Sequence, residues 1–241
     1  MRIDRYLNEC GICSRKEAAI AAKRGGVTVN GVPEKSVARH IDPETDRVCY
    51  LGREIAYRRF TYIMLNKPAG YVSATDDKSL PYVTELLSPE LRRMGLFPVG
   101  RLDRDTVGLM ILTNNGLLSH TLLSPKHHVE KVYRAGFRDR LSGAAEEVFA
   151  EGLKLLDGTL CKPAKIVCDP DRMGGLITLT EGKYHQIKRM LEAMDNQVVS
   201  LERVSFAGIP LDPLLDRGEW RPLTGEEEAL LHRAAEETRA P

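Results

Sequence analysis

Long hydrophobic runs are missing from this 241-residue sequence. Crossing a membrane takes about 18–20 apolar residues in succession, and the runs here are short, such as Gly108-Leu109-Met110-Ile111-Leu112. Arg2, Asp4, Arg5, Glu9, Arg15, Lys16 and Glu17 interrupt any signal-peptide core in the first twenty residues. A cytoplasmic protein with no membrane partner is expected. Cysteine is scarce and odd in number, five in all, which does not suit a secreted disulfide framework. Reduced thiols are expected. No Gly-x-Gly-x-x-Gly follows a strand, and Gly182-Lys183 runs into Tyr184 without the first glycine of a phosphate loop. This argues against nucleotide and dinucleotide chemistry, and no cofactor is expected. Internal repeats and low-complexity segments are also absent. Hydrophobic residues, at 42%, are too many for a disordered chain. The length predicts one large domain or two unequal ones.

The net charge of +1 hides an asymmetry. Residues 1–40 hold eight basic against four acidic residues, and residues 216–241 hold four against seven. A basic end on a neutral chain suggests a local anion-binding face or a solvated helix. Ile3, Tyr6 and Leu7 have helical spacing, and Gly11 breaks it. Ser14 and Glu17 form a capping-box pattern ahead of a second helix through Ala18, Ala19, Ala21 and Ala22, which Gly25-Gly26 ends. Val27-Thr28-Val29 reads as a strand, Asn30-Gly31 as a hairpin turn and Val48-Cys49-Tyr50-Leu51 as a further strand. Arg15, Lys16, Lys23 and Arg24 cluster around the second helix. In element order, and in the stretches 1–7, 11–18 and 27–31, this unit resembles the S4 RNA-binding domain. The resemblance implies RNA contacts at Arg5, Arg15, Lys16, Lys23 and Arg24, and a domain over 1–58.

Beyond Arg58-Arg59 the pattern changes. Strand-like runs fall at Tyr62–Leu65, 96–102, Gly108–Thr113, 129–137, 176–180 and Val198–Phe206. Helical stretches fall near 83–87, 117–123, 142–153, 183–194 and 226–237. Strands and helices do not alternate strictly, which predicts an α+β domain over 59–241 with a mixed, largely antiparallel sheet.

Cys10-Gly11-Ile12-Cys13 lies between two short helices with no second Cys-x-x-Cys. Two small semi-buried thiols are the plain reading, and no metal is expected. Gly100-Arg101-Leu102-Asp103-Arg104-Asp105-Thr106-Val107-Gly108 places charges between two apolar runs, as a solvated loop would. Glu181–Leu191 opens a helix with a core stripe of Ile187, Met190, Leu191 and Met194, and His185, Lys188 and Glu192 share another face. Pro125–Arg134 leads into a strand where Val129, Lys131 and Tyr133 share one face.

These three stretches follow Leu65-Asn66-Lys67-Pro68-Ala69-Gly70-Tyr71-Val72-Ser73. The set resembles the RsuA-type ribosomal RNA pseudouridine synthases over about residues 1–225. Within that group, Tyr184-His185-Gln186-Ile187-Lys188-Arg189-Met190 and Pro125-Lys126-His127-His128 look most like the small-subunit enzymes, whose target is uridine 516 of 16S RNA. Large-subunit relatives usually show Asn-Arg where Tyr184-His185 stands. The resemblance implies Asp103 as the catalytic aspartate, with Asp105 as a rival carboxylate. It implies Tyr133 as the active-site tyrosine and Lys188 as the basic partner of the aspartate, with Arg189 as its near rival. Arg101 then contacts RNA beside the displaced base. Helix geometry, with Ile187, Leu191 and Met194 inward, puts Lys188 about 100° and Arg189 about 200° from Ile187. Lys188 therefore edges the site and Arg189 faces outward, toward RNA phosphates. The implied substrate is 16S rRNA in a small-subunit precursor, and the protein is expected to be a monomer. The isomerisation needs one ionised carboxylate near the anomeric carbon and no electron, phosphate or metal. Three readings rival it: a large-subunit synthase of the same family, a non-catalytic S4 assembly factor and, more distantly, a thiol-redox protein.

Overall fold

The computed structural model describes residues 1–124 and 128–236. Pro125-Lys126-His127 and the segment from Glu237 onward lie outside the described residues. The chain divides into two compact units, one of Met1–Thr61 with Thr84–Phe97 and one of Tyr62–Val83 with Pro98–Pro241. The first unit thus takes in Thr84–Phe97, a segment that a single cut after residue 58 assigns to the larger domain.

In the first unit the helices Ile3–Glu9 and Arg15–Lys23 pack on a four-stranded antiparallel sheet, in the order Val32–Pro33, Val27–Val29, Val48–Tyr50, Arg53–Ile55. The Ser14 amide donates to the Glu17 carboxylate at 2.7 Å, and the Glu17 amide donates to Ser14 Oγ at 3.2 Å. This reciprocal pair satisfies two amides that the first helical turn leaves open. Asn30 and Gly31 both have positive φ, +53° and +80°, as a two-residue hairpin turn of matching twist requires. Ile3, Leu7, Ala18, Ala22, Val27 and Val48 are fully buried and form the core. Each of the larger ones contributes about 1.5–3 kcal/mol on leaving water. Gly11 has φ +71°, and a Cβ there would sit 2.5 Å from the Glu90 carbonyl. Arg93 donates to the Gly11 carbonyl at 3.2 Å. These contacts bind the short helix Pro89–Arg93 into the first unit, where no periodicity in the sequence placed it.

The second unit is built on a mixed sheet in the order Trp220–Pro222, Tyr62–Lys67, Val107–Thr113, Val198–Phe206, Lys131–Phe137, Gly174–Leu179, Lys165–Cys168. Val107–Thr113 and Val198–Phe206 run parallel, and the other neighbours in that order are antiparallel. The α+β class with a largely antiparallel sheet therefore holds. Ile63, Met64, Leu65 and Leu109–Leu112 are essentially inaccessible, as unbroken apolar runs predict for central strands. The run at 96–102 yields only the short strand Phe97–Pro98, and Gly100–Thr106 is loop. The helix expected over 183–194 is confined to Gln186–Glu192, so Met194 lies past its end and is half-buried. Among the described residues no helix is long and apolar enough to cross a membrane.

Candidate active site

The loop Gly100–Thr106 is pinned on both sides of Asp103. Ser73 Oγ accepts from the Leu102 amide at 2.9 Å and donates to the Leu102 carbonyl at 2.7 Å. Lys67 ends the buried strand Tyr62–Lys67, and its Nζ donates to the carbonyls of Pro68, Arg104 and Thr106 at 3.1, 3.2 and 2.8 Å. Burial pulls the Lys67 ammonium down to about 8, against the opposing charges of Asp105 and Asp103. The Gly70 amide donates to the Arg104 carbonyl at 2.8 Å. Leu65–Ser73 is thus the brace of the aspartate loop, a role not legible from its residue types alone. The one signal was a lysine closing a strand buried at every position.

Across the cleft, the turn 181–185 leads into the helix Gln186–Glu192. Gln186 Nε2 donates to Glu181 at 2.7 Å, and the Lys183 amide donates to Gln186 Oε1 at 2.9 Å. These bonds hold His185 in the left-handed region, φ +48° and ψ +36°. A non-glycine residue kept there by its surroundings is common at functional sites. His185 Nε2 lies 3.5 Å from Asp103 Oδ1, and Lys188 Nζ lies 3.3 Å from Asp103 Oδ2. Lys188 also reaches both Asp105 oxygens, at 2.6 and 2.8 Å. Burial works against the Lys188 ammonium, yet hydrogen bonding to Asp105 and the charge of Asp103 outweigh it and raise its pKa. The same hydrogen bond holds the Asp105 carboxyl below its ordinary value. The two carboxylates differ in exposure: the side chain of Asp103 is 26% exposed and that of Asp105 is 71%.

Tyr133 lies in the strand Lys131–Phe137, directly opposite Arg203 of Val198–Phe206. Both are buried, and both line the same cleft of about 810 Å³ as Asp103, His185 and Lys188, a size suited to one nucleotide-sized ligand. Val129 and Lys131 line it too, as the period-two spacing predicts. Arg203 is the site residue that sequence reasoning missed. Its signal was a lone arginine inside a long strand.

Arg101 lines the cleft, is exposed and makes no ion pair among the described residues. Arg189 does not face outward freely: its side chain is 24% exposed, ion-paired with Asp157, and bonded to the Tyr184 carbonyl at 3.3 Å. Arg5 pairs with Glu9 at 2.6 Å. Arg15, Lys16, Lys23 and Arg24 are exposed along and just after the second helix. Burial pushes the Cys10 thiol up to about 11 and also raises Cys13, the opposite of what a reactive thiol needs. No group of three or more His, Cys, Asp or Glu is placed to hold a metal among the described residues.

Two family models match the chain: the S4 domain over residues 1–48 and RNA pseudouridylate synthase over residues 61–154. Fold and match define an RNA-modifying isomerase, a pseudouridine synthase with an N-terminal S4 domain. The chain is 44% identical over 235 residues to the uncharacterized RNA pseudouridine synthase YtzG of Bacillus subtilis, covering 96% of this chain and 98% of that one. It is 40% identical over 230 residues to ribosomal small subunit pseudouridine synthase A of Escherichia coli, covering 94% and 98%. A crystal structure of a pseudouridylate synthase superposes with a TM-score of 0.68 at 36% identity, covering 96% and 99%. The chain belongs to the RsuA-type pseudouridine synthases.

Proposed function

We propose that this protein converts one uridine of ribosomal RNA to pseudouridine, namely uridine 516 of 16S rRNA in a small-subunit precursor, with Asp103 as the essential carboxylate. The observation that carries the reading is Asp103 itself: a partly shielded carboxylate, braced from behind by Lys67 and Ser73, with Lys188 3.3 Å away. The ion pair sets a cation directly against the carboxylate at the cleft. The choice of 16S rRNA is supported by near full-length similarity to enzymes named ribosomal small subunit pseudouridine synthase A.

The target base leaves its stack and enters the cleft, at a cost of a few kcal/mol. Tyr133 packs on its face, and its hydroxyl takes part in proton transfer. The Asp103 carboxylate acts at ribose C1′, by attack or by assisting loss of the C2′ proton. Lys188 stabilises that carboxylate. Arg101, at the exposed rim, meets the RNA beside the displaced base. Arg15, Lys16, Lys23 and Arg24 add phosphate contacts that offset the unstacking. Arg5 and Arg189 hold acidic partners first and contribute less. The protein works as a cytoplasmic monomer.

The test is a map of pseudouridines in the rRNA of cells with and without the gene. Loss of pseudouridine at position 516, restored by the wild-type gene and not by Asp103→Asn, supports the reading. An unchanged 516 signal with loss at a 23S position assigns the protein to the large subunit.

A further inference from the structure

Arg203 is 1% exposed and has no carboxylate paired with it among the described residues. Its Nε donates to the Leu109 carbonyl at 2.7 Å, and its guanidinium lies 5.2 Å over the Phe206 ring. Its Nη2 has no hydrogen-bond partner among the described residues. Burial lowers its pKa, and only the Tyr133 hydroxyl opposes that. A register shift between Arg203 and Ser205 marks a bulge at this point of the strand, a device that re-aims side chains beside active sites. Lys131 stands opposite Phe206 in the neighbouring strand, with its Nζ 5.9 Å from the same ring and bonded to the Val129 carbonyl at 2.7 Å. Both cations line the cleft that holds Asp103 and Tyr133. A buried guanidinium nitrogen with no partner, in a residue that lines the cleft, is retained at a loss in stability unless a ligand completes it. Neither cation is ion-paired with a carboxylate among the described residues, although the charge of Glu181 reaches Lys131. Two such cations lining a cleft call for a ligand that carries or develops negative charge.

We infer that Arg203 is a catalytic residue of the isomerisation: its free Nη2, with Lys131 beside it, binds a carbonyl oxygen of the extruded uracil and stabilises the anion the ring becomes on leaving C1′. The inference rests on the reading of this cleft as the place where pseudouridine forms. When the C1′–N1 bond breaks, its electron pair stays with N1 and spreads onto the ring carbonyl oxygens. C1′ is meanwhile captured by the Asp103 carboxylate as an ester, or the carboxylate takes the proton from C2′ and a C1′=C2′ double bond forms. The ring turns and C5 bonds to C1′ as the ester C1′–O bond breaks, or as the double bond takes the proton back at C2′. The C5 proton then leaves, N1 gains a proton, and Asp103 is again a free carboxylate. Nothing is gained or lost overall, but for an interval the base carries a negative charge. Asp103 cannot stabilise that charge, and Lys188 is engaged by Asp103 and Asp105. The labour is therefore divided: Lys188 serves the carboxylate, Arg203 and Lys131 serve the base.

The test uses full-length Arg203→Gln, Arg203→Lys and Lys131→Met in single turnover, on RNA with uridine or 5-fluorouridine at the target. Fluorine acidifies the ring, so its anion departs with less help. Consumption of the target nucleoside is read after digestion. Arg203→Gln is expected to slow uridine by about 10²–10³-fold, the usual effect of losing one preorganised donor, and 5-fluorouridine by about tenfold or less. Arg203→Lys should fall between wild type and Arg203→Gln, and Lys131→Met should show the same ordering of the two substrates. Equal slowing of both substrates by every variant means a structural role and overturns the inference. If Arg203→Gln does not fold, Arg203→Lys and Lys131→Met decide by the same ratio. A wild-type protein that leaves uridine RNA unchanged brings down the functional reading and this inference together, whereas active wild type with equal ratios brings down this inference alone.

Discussion

Replacing Lys67 by methionine keeps the length of the side chain and removes its charge and donors. Three hydrogen bonds to backbone carbonyls are lost, two of them to residues just after Asp103, although the Arg104 carbonyl keeps the Gly70 amide. Hydrogen bonds from a charged donor are worth about 1.5–3 kcal/mol each, so roughly 5–9 kcal/mol is at stake. Against this, a pKa pulled from 10.5 to about 8 means the folded chain carries about 3 kcal/mol of unfavourable charge burial at neutral pH. The net loss for Lys67→Met is about 2–6 kcal/mol, and at about 2–4 °C per kcal/mol for a chain of this size the melting temperature falls roughly 10 °C. The pH dependence gives a sharper check. Between pH 8 and 10.5 the folded Lys67 has released its proton while the unfolded chain still holds one. The unfolded state then binds more protons, and stability rises with pH through that window in the wild type only. Lys131, also near 8, is common to both proteins and cancels in the difference. Urea titrations from pH 7.5 to 10 should show the gap between wild type and Lys67→Met widening. A constant or shrinking gap would refute the claim that Lys67 is a desolvated cation bracing the loop.

Gly108→Ala should destabilise by about 3–5 kcal/mol, from the strained backbone and the displaced neighbour strand. Gly108 has φ +99°, and a Cβ there would lie 2.4 Å from the Arg203 carbonyl. A melting temperature within about 2 °C of wild type would contradict this close approach of strands. Lys188→Met should cut the chemical step severely at saturating enzyme, Lys188→Arg less so, and Arg189→Met should act on affinity and on the Asp157 pairing. An exchange of those two effects would mean that the helix presents the other residue to Asp103. Exchanging Arg15, Lys16, Lys23 and Arg24 for glutamine should weaken RNA binding and flatten its salt dependence, by about 0.7 in slope for each phosphate no longer neutralised on single-stranded RNA. An unchanged slope would make the basic face only a solvated surface.

Much of the chain was legible because the governing interactions are local. The capping box at Ser14 and Glu17, the Asn30-Gly31 turn and the strand Val198–Phe206 each rest on residues a few positions apart. The α+β class followed from element order. The candidate site was legible in part, because Asp103, Tyr133 and Lys188, the residues the resemblance singled out, converge on one cleft. What escaped depends on distant parts of the chain. Thr84–Phe97 joins the first unit through contacts such as Arg93 with Gly11, 82 residues apart. Lys67 meets Thr106 across 39 positions, and Arg203 meets Leu109 across 94. The sharing of Lys188 by Asp103 and Asp105 was also hidden, since spacing in a loop carries no fixed direction for either carboxylate. Arg189 was placed by helical angle alone, and Asp157, from a separate loop, captures it.

The assignment of the essential carboxylate is tested most directly by comparing Asp103→Asn with Asp105→Asn in single-turnover release of tritium from RNA labelled at uracil C5. Asp105 is a serious rival, since Lys188 lies 2.6 Å from it and 3.3 Å from Asp103. The account predicts no release by Asp103→Asn, with RNA affinity nearly intact, and a reduction of about tenfold or less for Asp105→Asn, which frees Lys188 from one carboxylate but leaves the reacting group in place. Release by Asp103→Asn together with a dead Asp105→Asn would contradict it and move the chemistry to Asp105.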